Sequence, residues 1–163
     1  MFLLDASVLI TAHNTYYALE RVPEYWAWLR HHGNNGDIAI PEEIYAEIEG
    51  GNDLLADWMS EEDSKDCLKM AEEADPDHLT HILGVYGNAL SEDDLIKIGK
   101  DPFLVAAGFA DKQQRIVVTA EVSKPGREGA NRHIPNICED CGVNWINPIE
   151  FLQQLNFTTD WNP

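Results

Sequence analysis

The sequence predicts an α/β domain in which short buried strands alternate with helices. Two observations carry this. Short apolar or β-branched runs recur, as in Phe2-Leu3-Leu4 and Arg115-Ile116-Val117-Val118-Thr119, and between them lie longer stretches with helix-start residues and helical spacing. Acids also stand where those elements begin or end: Asp5 after the first strand, Asp101 at a helix start and Glu121 after a late strand. In parallel α/β sheets the carboxyl edge of the strands is where ligands bind.

The elements follow in order. Phe2–Leu4 reads as a strand, and Asp5-Ala6-Ser7 leads into a helical segment around Val8-Leu9-Ile10. Taken alone, Asp5 reads most simply as a cap of that helix. Pro23-Glu24 opens a helix whose Tyr25, Trp28 and Leu29 recur at i, i+3, i+4 as a core stripe. It ends at His31-His32-Gly33, with the histidines in a loop at the helix C-terminus, facing apart rather than converging on a metal. Asp37–Ile40 is a short strand. Pro41–Ile48 is a helix stopped by Gly50-Gly51, with Ile40, Ile44 and Ile48 inward and Glu47 beside them.

Residues 53–75 read as helical and acidic, broken at Ala74-Asp75-Pro76-Asp77. Residues 78–98 carry a further helical pattern with a Gly87-Asn88 turn, so the region reads as helical cover over a sheet within one domain. Asp101-Pro102 then predicts a helix start with Asp101 at the N-cap and Pro102 first in the helix, running through Ala110. Arg115–Thr119 is the next strand, Gly142–Ile146 the last strand, and Pro148–Leu155 the last helix.

Composition narrows the function classes. A chain of 163 residues is one domain's worth and can bury roughly 70% of its unfolded surface. No apolar run approaches the roughly 20 residues of a membrane span. Met1-Phe2-Leu3-Leu4 meets Asp5 at once, with no basic-then-apolar leader, so a cytoplasmic protein is expected. Three cysteines, an odd number, fit a reducing compartment. The net charge of −18 is the unusual feature. Nucleic-acid binders are normally basic, so this chain must meet anions through local positive charge or metal, or meet a basic partner; plain solvation is the simplest use of such charge.

Local positive charge does occur. Lys124, Arg127 and Arg132, three of the eleven Lys and Arg, lie within nine residues of a Gly- and Pro-containing loop after Glu121. They are the candidate phosphate-binding residues. Cys138-Glu139-Asp140-Cys141 spells C-x-x-C, but a second ligand pair at motif spacing is missing, and two reduced structural thiols are the expectation over redox or zinc chemistry. Four acids, Asp5, Glu47, Asp101 and Glu121, share one kind of location. Crowded carboxylates repel and are stable mainly around a cation, and hard oxygen ligands select Mg²⁺ or Mn²⁺. Such a cluster can polarise a phosphoryl oxygen and activate water for in-line attack.

This order of motifs resembles the PIN-domain ribonucleases, most familiar as the toxins of VapBC-type toxin–antitoxin pairs. The matching parts are Phe2 through Ser7, Pro41 through Ile48 with Gly50-Gly51, Asp101 through Ala107, and Val117 through Glu121. Ile134-Pro135-Asn136-Ile137-Cys138 and the elements after it look like a further PIN-like branch. The resemblance implies a single PIN-like domain with a central parallel sheet flanked by helices, an acidic metal site and RNA cleavage. Carried over, Asp5, Glu47, Asp101 and Glu121 are the metal site, and Ser7 and Thr119 are hydroxyls orienting metal-bound water or substrate. Glu121 stands where many relatives have Asp. An antitoxin partner and a homodimer are expectations of the resemblance alone.

Two readings therefore stand side by side. The first is a Mg²⁺- or Mn²⁺-dependent endoribonuclease, a toxin held by an antitoxin. The second is a PIN-like scaffold without catalysis that docks a basic protein partner, which the −18 charge favours.

Overall fold

Four short runs find one another across the whole chain. Phe2–Leu4 (β1), Ile38–Ala39 (β2), Ile116–Val118 (β3) and Asn144–Ile146 (β4) form one sheet in the order β2-β1-β3-β4. Every neighbouring pair is parallel, with Leu3 opposite both Ala39 and Val117, and Val118 opposite both Leu4 and Ile146. The structure is a computed structural model that describes residues 1–161. Leu3, Leu4, Val117 and Val118 are fully buried, which is why these strands read as continuous apolar runs rather than as alternating ones.

Ten α-helices among the described residues flank the sheet: α1 Ala6–Asn14, α2 Pro23–Asn34, α3 Glu42–Glu49, α4 Leu54–Ser60, α5 Glu62–Leu68, α6 Pro76–Tyr86, α7 Glu92–Ile98, α8 Asp101–Ala110, α9 Ile134–Cys141 and α10 Pro148–Gln154. The α/β class and the parallel sheet flanked by helices thus match the expectation. None of the helices is long and apolar enough to cross a membrane.

One hydrophobic cluster runs through both faces of the sheet. On α2 the predicted stripe of Tyr25, Trp28 and Leu29 is buried, and Trp26 joins it. Tyr25 stacks on Tyr17, and Trp28 meets the edge of Phe151 from α10. Ile40, Ile44 and Ile48 are buried as their four-residue spacing requires. Helix α8 lies unusually close to the sheet: a Cβ on Gly108 would stand 2.8 Å from Val143 and 3.0 Å from Val117. Only glycine permits that approach, and it fixes how deep α8 sits.

Several boundaries differ from expectation for physical reasons. Residues 53–75 are not one helical stretch. Asp53 caps α4, the chain breaks at Glu61, and after Leu68 it becomes extended. There Ile40 donates to Leu68 and accepts from Met70, so backbone pairing beside β2 replaces helical bonds. The paired histidines lie in the last turn of α2, not in a loop, and His32 bonds Asp37 at 2.8 Å. The loop after Glu121 contains a 3₁₀ turn at Gly129–Asn131. Helix α9 ends with Gly142 in the left-handed region, its preferred residue type.

Candidate active site

The parallel ladders do not stop with the last strand residues, and their extension builds the site. The Asp5 N–H donates to the Val118 carbonyl at 2.9 Å, and the Thr119 N–H donates to Ile146 at 3.2 Å. Asp5 and Thr119 therefore leave β1 and β3 side by side at the carboxyl edge. Asp5 occupies the N-cap position of α1, yet its side chain caps nothing. Its Oδ2 instead accepts from the Thr119 hydroxyl at 2.8 Å and from the Ser7 hydroxyl. The simple capping reading of Asp5 is thereby overturned: two hydroxyl donors compete successfully for a carboxylate that is only 6% exposed.

The same bonds revise the roles expected of the hydroxyls. Ser7 Oγ also accepts from the Ala120 N–H at 3.1 Å, and Thr119 Oγ1 accepts from the Glu121 N–H at 3.1 Å. Both protons are spent on Asp5 and both oxygens on the backbone. Thr119 is fully buried. These side chains position Asp5 and the turn to Glu121, and half-buried Ser7 also lines the cavity described below.

Asp101 is a second correction. Helix α8 starts one residue earlier than predicted, with Lys100 at the cap position after Gly99 at φ +62°, and it shows no side-chain cap bond. Asp101 is thus the first helical residue, its carboxyl not engaged in capping. Burial, then the charges of Asp5, Glu121 and Glu47, push its pKa up to about 8. The helix N-terminus favours a negative charge there, but burial and three like charges outweigh it.

Glu121 accepts the Ile134 N–H on Oε2 at 2.7 Å. That donor is one of the unpaired N–H groups at the start of α9. Its Oε1 lies 3.9 Å from His133 Nδ1. Glu47 is exposed on α3. All four acids, with Ser7, Thr11 and Ile134, line one open cavity of about 330 Å³. Among the described residues none of the four is paired with Lys or Arg, although neighbouring acids are: Glu42 with Lys69 at 2.7 Å, Glu49 with Lys65 at 3.0 Å, and Glu72 with Arg115.

Could these residues hold a metal? As they stand, no three His, Cys, Asp or Glu side chains among the described residues are grouped closely enough to enclose an ion. The chemistry of the donors does fit a hard divalent cation: four carboxylates share one cavity without a Lys or Arg partner among the described residues, and burial, then the other three, destabilises Asp101 as an anion.

The basic loop divides. Arg132 donates to the Val85 carbonyl at 2.9 Å and the Asn136 carbonyl at 3.2 Å, and it pairs with Asp140. It is a structural tie between α6 and α9, which corrects its assignment to substrate. Lys124 and Arg127 are exposed, and their side chains have no polar partner among the described residues. The C-x-x-C cysteines are free and buried on α9, and burial pushes the Cys138 thiol far up. Redox and zinc chemistry need a thiolate, which burial disfavours.

Three contributors escaped the sequence reading. The Ile134 N–H is invisible to side-chain logic. Asn136 carried no signal beyond its motif; it is 5% exposed and bonded on both ends of its amide. Tyr86 lies at the end of α6 within the helical pattern of residues 78–98, and its buried hydroxyl has no partner among the described residues. Burial, then Asp101 and Glu121, raises its pKa, which marks it as a neighbour of the acids.

Beside the cavity lies an apolar groove of about 530 Å³ between α1 and the start of α10, lined by Val8, Tyr17, Val122, Pro148 and Ile149 among others. Thr11 lines both hollows. Tyr16, Val122 and Ile149 are exposed there.

Compared with known proteins, residues 2–159 match the model of a family described as a domain of unknown function, DUF4411. No curated protein matches the chain.

Proposed function

We propose that the chain, which belongs to the DUF4411 family, is a divalent-metal-dependent endoribonuclease of the PIN kind. The observation that carries this is the shared cavity: carboxylates from four distant segments, none offset by Lys or Arg among the described residues. In this reading Asp5, Glu47, Asp101 and Glu121 hold Mg²⁺ or Mn²⁺. The ion supplies Lewis-acid stabilisation of charge developing on the phosphoryl oxygens.

The residues divide the remaining work. Asp5 is held by Ser7 and Thr119 through Oδ2 alone, so Oδ1 is the oxygen offered to the cavity. Glu121 is fixed through Oε2 by the Ile134 N–H and offers Oε1. Burial, then the neighbouring acids, favours the protonated form of Asp101 at neutral pH, and a cation held there would favour its carboxylate. Lys124 and Arg127 meet the phosphates that flank the cleaved bond. The proposed setting is the cytoplasm, where the enzyme is the toxin of a toxin–antitoxin pair, as a homodimer, restrained by its antitoxin.

The test is cleavage of a mixed RNA pool with Mn²⁺, Mg²⁺ or EDTA, beside a folded Asp101→Ala variant. Metal-dependent cleavage that the variant lacks is expected; equal cleavage by the variant removes the assignment. A second reading has its own support. The acids do not enclose an ion as they stand, and an exposed apolar groove adjoins them in a chain of charge −18. A PIN-like scaffold without catalysis, docking a basic protein partner, follows if neither cleavage nor metal binding is found.

A further inference from the structure

We infer that Asn136 is a positioning residue that locks the basic loop to the fourth acid, so that Lys124 and Arg127 present their charge at a fixed place beside the cavity. This rests on the nuclease reading. The motif Ile134-Pro135-Asn136 opens α9, and its polar groups are turned backwards, onto the chain that leaves β3. The Ile134 N–H holds Glu121 at 2.7 Å. Asn136 Oδ1 accepts the Lys124 N–H at 2.7 Å, and its Nδ2 donates to Ser123 Oγ at 2.8 Å. The Lys124 donor fixes which end of the amide is oxygen.

One helix start therefore grips Glu121, Ser123 and Lys124 together. An amide so deeply buried is costly unless both its ends are paired, and here both are. The α9 N-terminus could be closed by any capping side chain; a buried amide that reaches past it to the root of the loop does something capping does not require. Lys124 itself is exposed, so the grip is on its backbone and leaves the ammonium for a ligand. In a chain with only eleven Lys and Arg, pinning the root of this loop matters more than it does on a basic surface.

The experiment measures binding of fluorescent single-stranded RNA by the full chain in EDTA, where cleavage is absent, at several salt concentrations, with thermal melting as a folding control. Compared are the wild type, Asn136→Ala, Asn136→Asp, the Lys124→Ala/Arg127→Ala pair, and that pair combined with Asn136→Ala. Asn136→Ala is expected to weaken binding about five- to tenfold and to flatten its salt dependence, as lost phosphate contacts do. Asn136→Asp, which accepts from both the Lys124 N–H and the Ser123 hydroxyl, restores most of the binding. In the pair background, Asn136→Ala adds nothing.

Wild-type binding in a folded Asn136→Ala protein, or losses that multiply in the combined variant, overturn the inference and leave the nuclease reading intact. If Asn136→Ala does not fold, the Asn136→Asp protein decides: binding as weak as the Lys124/Arg127 pair overturns the inference. No RNA binding by the wild type in EDTA overturns this inference; the nuclease reading is decided separately, by the metal-dependent cleavage test.

Discussion

Asp101→Asn is the most informative single change, because it keeps the shape of the side chain and removes only its charge. The folded protein holds the Asp101 proton up to about pH 8, whereas the unfolded chain releases it near 3.8. The sign follows from linkage. Below about pH 4 both states are protonated and the folded state pays nothing. As pH rises toward 8 the unfolded state gains by ionising and the folded state does not, so stability falls through that window and levels off above it. At about 1.4 kcal/mol per pH unit the interval bounds the loss at roughly 6 kcal/mol, and partial exposure of the side chain to water halves that to about 3 kcal/mol.

The Asn variant has no such proton to lose. Without metal it is expected to be about 3 kcal/mol more stable than the wild type at pH 8.5, with the gap closing toward pH 4. Glu72, Asp75 and Asp94 are shifted down, Glu72 by its bond to Arg115 and the other two by local N–H donors, and they contribute stability that is lost only in acid. Both proteins share them, so they cancel in the comparison. Urea denaturation in EDTA at pH 4.5, 6.5 and 8.5 reads the difference. Mn²⁺ should then stabilise the wild type at pH 8.5 and leave the variant nearly unmoved, since binding to the folded state alone adds to its stability. Parallel pH profiles for the two proteins would falsify the claim that the four acids act on one another across a shared cavity.

Three further changes probe the frame around the acids. Thr119→Val keeps the shape but removes the donor to Asp5 and the acceptor for the Glu121 N–H; a loss of about 1–3 kcal/mol in urea denaturation, with weaker Mn²⁺ binding, is expected, and an unchanged protein refutes the positioning role. Gly108→Ala puts a methyl 2.8 Å from Val143; the clash exceeds the gain in helix propensity, and thermal melting should show a net loss of about 1–2 kcal/mol. Tyr86→Phe deletes a buried hydroxyl that has no partner among the described residues, so stability should hold or rise by up to about 1 kcal/mol; a loss of that size means the hydroxyl has a role there.

The strands, the aromatic stripe on α2 and the isoleucine ladder into α3 were legible because burial on both faces leaves continuous or helically spaced apolar residues. Asp5, Asp101 and Glu121 were legible because each stands at an element boundary, and Glu47, within α3, joins them in lining one cavity. What their side chains do was not. Asp5 sits where a cap belongs and serves Ser7 and Thr119 instead, a choice made by a residue 114 positions away. Asp101 lies one residue inside its helix rather than at the cap, where Lys100 stands instead. Arg132 looked like free charge in sequence and is consumed by two carbonyls and Asp140, partners that only the packing of α6 against α9 supplies.

The placement of β1 has a consequence for how the protein comes into being. It is made before the other three strands of its sheet, yet it lies inside the sheet between β2 and β3. During synthesis it can pair early with Ile38 and Ala39, but its other edge stays bare until Ile116–Val118 emerge. At about 5–20 residues per second, that is an interval of roughly 6–20 seconds. The Asp5 carboxylate waits equally long for the Thr119 hydroxyl. The nascent chain therefore carries an unfinished sheet edge, open to pairing with other strands, and no assembled acidic cavity until the chain has passed Glu121.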